Sequence, residues 1–232
     1  MDFDKEIIDG KITIYCDNNL YEFSKDFLEY YKKDVVRIKN ELGLTDDYDI
    51  IFALVNDRDR LGARPYKDME TSISGFFTDT GVAAFVEENG TYSKDMLFRK
   101  LMHETTHYLY RSYVYGADKE RITWVDEGLA QFFSNEKDGL NDEDKFREYI
   151  KDNIKDVDLN TLVHEDESFG RQNGYPLSYI AIRYLYENTT HEEFLDTIKD
   201  TNKLKNLGTS ILSEVINSYL GDDNKGEKAS EK

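Results

Sequence analysis

The chain has 232 residues, 39% hydrophobic and 13% aromatic, enough to bury a core in one large domain or two small ones and too apolar for a disordered chain. Forty-eight acidic against thirty basic residues leave a formal charge of −18. That is the reverse of the basic surface that suits nucleic acids and anionic membranes, so neither is an expected partner. No run approaches about 18 apolar residues, which excludes a membrane-spanning helix. The single cysteine, Cys16, excludes an internal disulfide framework. The N-terminal Met1-Asp2-Phe3-Asp4-Lys5-Glu6 lacks the basic and apolar regions of a signal peptide. The chain as it stands therefore points to the cytoplasm, or to an extracytoplasmic protein whose export signal has been removed.

Residues 7–16 alternate imperfectly and predict one strand, with Cys16 a packed small residue at its end. From Leu20 to Leu42, the spacing of Phe23, Phe27, Tyr30, Tyr31, Val35 and Ile38 predicts a helix, and Gly43 a stop. Asp49 to Val55 predicts a buried strand, and the charged residues 56–70, with Gly62 and Pro65, a loop. Ile73 to Phe77 and Val82 to Glu87 predict two short strands around an Asp79-Thr80-Gly81 turn. Ser93 is a candidate N-cap for a helix over 94–113. A second helix is expected from Thr123 to about Asn135, with Thr123 and Asp126 close to a capping box. The remainder predicts helices around Phe146-Tyr149-Ile150, over 176–188 with Pro176 in the first turn, and near 191–200 and 208–220.

These elements make an α+β protein. A small N-terminal mixed sheet with helices (residues 1–114) precedes a mainly helical C-terminal lobe (115–220) and a short charged tail (221–232), with the active-site cleft expected between the lobes.

Within the first central helix stands His103-Glu104-Thr105-Thr106-His107. Residues four apart share a helix face, so both imidazoles can hold one metal ion from one side. Glu104, rotated about 100° from His103, falls beside that ion, where a general base is needed. A catalytic zinc site needs a third protein ligand and an open fourth position. Glu127, in Trp124-Val125-Asp126-Glu127-Gly128-Leu129-Ala130, can supply it, with Gly128 easing the approach of the two central helices. Asp126 is a candidate to orient a ligand histidine. His164, in an acidic stretch, and His191, at a helix start, are read as surface residues, and Asn141 to Asp144 as a solvated helix entry without the spacing of a calcium loop.

His-Glu-x-x-His followed by Trp-x-x-Glu-Gly-Leu-Ala resembles the gluzincin zinc metallopeptidases, and within them the peptidase MA-like group, over about residues 73–187. The resemblance implies a zincin-like fold and one catalytic zinc ion held by His103, His107 and Glu127. It implies that Glu104 acts as general base, and that the strand before the active-site helix, here Gly81-Val82-Ala83-Ala84-Phe85, binds substrate by β-addition. It also implies a tyrosine near the start of a third helix that steadies the oxyanion. Tyr175 matches best and Tyr179 second, although Leu177 stands where the family has Gln.

Peptide or protein is the implied substrate. Related aminopeptidases place an acid in a Gly-x-Met-Glu-Asn strand, and residues 81–85 have none, though Glu87 and Glu88 follow; an endopeptidase is therefore expected. The competing readings are a catalytically silent zincin-like binding domain and a toxin-like protease of narrow specificity.

Overall fold

The computed structural model describes residues 2–61, 73–87, 90–136, 140, 143–154, 157–162 and 168–221. The chain divides into two compact units, Met1–Ala117 and Asp118–Lys232. The architecture is α+β, a small mixed sheet followed by a mostly helical remainder.

The first unit is built on a five-stranded sheet of β1 (Lys5–Asp9), β2 (Ile12–Cys16), β3 (Ile50–Val55), β4 (Ile73–Thr78) and β5 (Gly81–Val86). Its order is β1-β2-β3-β5-β4, with β2, β3 and β5 parallel and the outer strands antiparallel. Two expectations are corrected here. The single strand over 7–16 is a hairpin: Gly10, at φ +60°, turns the chain so that Ile7 pairs with Ile14. Alternation runs through a tight turn almost unbroken, so it did not reveal the reversal. Second, β5 is no edge strand. It is paired with β3 on one side and β4 on the other, so it cannot accept a substrate strand, and among the described strands β4 is the outermost on that side.

Helix α1 (Tyr21–Glu41) connects β2 to β3 and buries Phe23, Phe27, Leu28, Tyr31, Val35 and Ile38. It ends in a Schellman pattern, with the Leu44 amide donating to the Lys39 carbonyl and the Gly43 amide to that of Asn40. The Phe27 ring meets Phe52 of β3 edge-on at 5.0 Å and Phe98 of α2 (Lys94–Leu109) at 5.7 Å, so one α1 side chain joins sheet and helix. Cys16 is fully buried beside this core, and burial pushes its thiol up. The predicted helix over 94–113 is regular only to Leu109. A π-helical turn, Tyr110–Tyr115, follows, its ends held by Tyr110 stacked on Tyr115 at 5.4 Å.

The second unit contains α3 (Thr123–Phe133), α4 (Glu143–Asn153), α5 (Ser168–Arg171), α6 (Gly174–Asn188), α7 (His191–Ile198) and α8 (Thr201–Leu220). Its core gathers Leu140, Phe146, Ile150, Tyr179, Ile180 and Val215 from α4, α6, α8 and the segment before α4. Thr190 and Glu193 form a reciprocal capping box on α7. Asp200 accepts from the Asn202 and Lys203 amides, which starts α8 earlier than the expected residue 208. At the entry to α4, Glu143 is exposed, as expected of a solvated helix entry, and also pairs with Arg183 at 2.8 Å. The expected loop beyond Leu61, residues 141–142, His164 and the tail from residue 222 lie outside the described residues.

Candidate metal centre

Helix α2 begins at Ser93, whose hydroxyl accepts from the Met96 amide at 3.3 Å, and Asp95 stands in the first turn, where the helix dipole favours an acid. One face of α2 packs on the sheet, burying Leu97, Leu101 and Met102. Thr105 and Thr106 are also buried. Their hydroxyls donate to the carbonyls one turn back, of Leu101 and Met102, both at 2.8 Å, so no polar atom of theirs is stranded.

His103 and His107 then fall one turn apart, their Nε2 atoms separated by 3.1 Å. The His107 ring lies against Phe77 of β4, centroids 5.7 Å apart and planes at 32°. Glu104 is half-buried and lies along β4. Its Cγ is 3.1 Å from where a Cβ of residue 75 would stand, and residue 75 is glycine.

The carboxylates of α3 have a partner the sequence did not suggest. Arg121, two residues before the helix, donates through Nε to Asp126 Oδ2 at 2.5 Å and through Nη2 to Glu127 Oε1 at 2.7 Å. Asp126 and Glu127 are 1% and 4% exposed. Burial alone would pull the Arg121 guanidinium down, but the Asp126 and Glu127 charges outweigh it and hold it above its usual value. The capping box expected at Thr123 is absent. Thr123 is the first helical residue, after Ile122, which provides no side-chain cap, and Asp126 is engaged by Arg121. Arg121 had one sequence signal, a base five and six residues before two acids, which the i, i+4 pattern of helical pairs does not register.

The sequence assigns Gly128 to the approach of the two central helices; the structure places it against α6. A Cβ there would stand 2.5 Å from Ile182 Cγ1 and 2.5 Å from the Ser178 carbonyl oxygen. Gln131, one turn along α3, donates through Nε2 to the Tyr175 carbonyl at 3.1 Å, which ties α3 to the first turn of α6. Tyr175 itself is half-buried, its ring edge-on to Phe169 at 4.8 Å. Tyr179 is buried in the core of its unit, and that burial raises its phenol. His191 is exposed at the start of α7.

Two imidazoles one turn apart on a helix, with an acid next to the first, make half of a metal-dependent hydrolase site. The family comparison specifies the class: the collagenase family of peptidases matches residues 63–213, and the chain belongs to that family. Its members are zinc metallopeptidases, hydrolases of peptide bonds, and this protein is a zinc metallopeptidase acting on peptides or proteins. The histidines fit that metal. Nitrogen ligands about 2.0–2.1 Å from a tetrahedral zinc stand about 3.3 Å apart, against 3.1 Å between the two Nε2 atoms.

Proposed function

We propose that the protein is an endopeptidase of the gluzincin type with a zincin-like fold, in which His103, His107 and Glu127 hold one zinc ion. The observation that carries this reading is the convergence of the two Nε2 atoms at 3.1 Å with Glu104 as the next residue after His103. The two imidazoles and a carboxylate are the donor set of hydrolytic zinc sites that keep one position open. The bound ion would supply Lewis acidity toward the scissile carbonyl and toward water.

In this reading Glu104 takes a proton from the attacking water on a carboxylate oxygen and delivers it to the nitrogen of the leaving amine. Its half-burial beside β4 suits a carboxylate that must stay in place and still meet water. The Tyr175 hydroxyl donates to the oxyanion. It is the half-buried member of the tyrosine pair, whereas Tyr179 is committed to the core. An extended peptide adds to the sheet along β4, the strand that carries Gly75 and Phe77 past Glu104 and His107.

The test is mass spectrometry of a peptide library blocked at both termini, with gelatin in parallel because the family bears the collagenase name. Internal cuts by the wild type that vanish in Glu104→Gln, at unchanged zinc content, are expected. Zinc bound without any cleavage would favour a silent binding domain. Cleavage of unblocked peptides alone would make the enzyme an exopeptidase.

A further inference from the structure

Asp126 and Glu127 are consecutive on α3 and so point about 100° apart around the helix. Both are nonetheless reached by one side chain, because the guanidinium of Arg121 is a planar fork with donors on separate nitrogens. Two carboxylates this deeply buried repel each other and are costly to hold charged without a counter-charge. Arg121, its side chain 36% exposed, provides one positive charge to their two negative ones.

A counter-charge for Asp126 alone would need no contact with Glu127. The 2.7 Å bond from Nη2 ends on one particular oxygen, Oε1, and fixes the plane and rotamer of the carboxylate. We propose that Arg121 is a positioning residue for the metal-holding carboxylate: by engaging Oε1 it keeps Glu127 in one orientation. Asp126 is the anchor at the other end of the fork. Together they hold Arg121 between the start of α3 and the segment leading into it. The proposal rests on Glu127 being a zinc ligand, as proposed above.

The experiment measures zinc affinity of the full chain by competition with a chromogenic chelator, and the visible spectrum of the cobalt(II)-loaded protein, which reports the ligand field independently of turnover. The variants are Arg121→Lys, Arg121→Met with Asp126→Asn, and Glu127→Gln. The double variant removes the fork together with the charge it would orphan, so the helix is not left with an uncompensated pair. It is expected to bind zinc about 10–100-fold more weakly, the usual cost of losing a group that orients a ligand, and to shift the cobalt spectrum. Arg121→Lys keeps the charge without the fork and is expected to lose affinity too; it also serves as the measurement if the double variant does not fold. Wild-type affinity and spectrum in either variant would overturn the proposal and reduce Arg121 to a counter-charge. Wild-type affinity in Glu127→Gln would overturn the ligand assignment itself, a failure distinguishable from that of Arg121.

Discussion

Glu104 and Gly75 share one space: the Cγ of Glu104 stands 3.1 Å from the point a Cβ on residue 75 would occupy. Strand β4 can pass beside the proposed general base because it carries a glycine there. Gly75→Ala puts a methyl group against Glu104, with Ala84 Cβ at 3.4 Å and the Ala83 carbonyl at 3.5 Å limiting retreat. The Glu104 side chain must then give way by a few tenths of an ångström, which displaces its carboxylate. We expect kcat to fall about tenfold, about 1.4 kcal/mol on the barrier, with zinc content unchanged. Steady-state kinetics with metal analysis check this; wild-type kcat would mean that Glu104 adjusts freely.

The two candidate tyrosines separate by environment. Tyr175→Phe removes a hydroxyl from a half-buried ring and is expected to lower kcat by about 10²-fold, the scale of losing one oxyanion donor, while the melting temperature holds. Tyr179→Phe alters a side chain enclosed by Phe146, Ile150 and Val215 and is expected to leave kcat unchanged. The opposite pattern would transfer the oxyanion role to Tyr179.

Gly128 tests the packing behind Glu127. Alanine there meets the Ser178 carbonyl oxygen and Ile182 Cγ1, each 2.5 Å away. Because one of these is backbone, α3 and α6 must separate. We expect Gly128→Ala to destabilise the protein by about 1–3 kcal/mol, as overpacking does, read as a lower urea midpoint. An unchanged midpoint would refute the close approach of the two helices.

Alkaline pH should loosen the fold through tyrosines that are held neutral. Burial, and then a hydrogen bond to Glu187 at 3.0 Å, push Tyr219 from 10.0 up to about 12, and burial likewise raises Tyr31 and Tyr108. The folded state therefore holds these protons after the unfolded chain has released them. Stability is intact below pH 10 and falls as pH rises from 10 towards 12. In Tyr219→Phe the decline over that interval is expected to be shallower. Urea unfolding at pH 8, 10 and 11 reads it directly, and an equal slope in both proteins would remove Tyr219 as a contributor.

What lies within one turn of helix was legible in the sequence. The spacing of His103 and His107 placed two imidazoles on one face because any α-helix repeats every 3.6 residues. The Ser93 cap, the buried stripe of α1 and the Gly43 stop follow from the same local rules. Local rules also misled. The alternation through Gly10 hid a hairpin, and Thr123 with Asp126 imitated a capping box while Asp126 was bound to Arg121.

Sequence alone determined the class of chemistry and the α+β composition, since residue type and periodicity are properties of consecutive positions. Only the tertiary structure decided that β5 is paired on both sides and β4 outermost among the described strands on that side, that Gly75 lies against Glu104, and that Gly128 serves α6. It alone decided that one arginine fork spans Asp126 and Glu127. The reason is physical: strand order and side-chain partners depend on how distant segments fill shared space, and that balance of packing and charge is not written in the spacing of neighbouring residues.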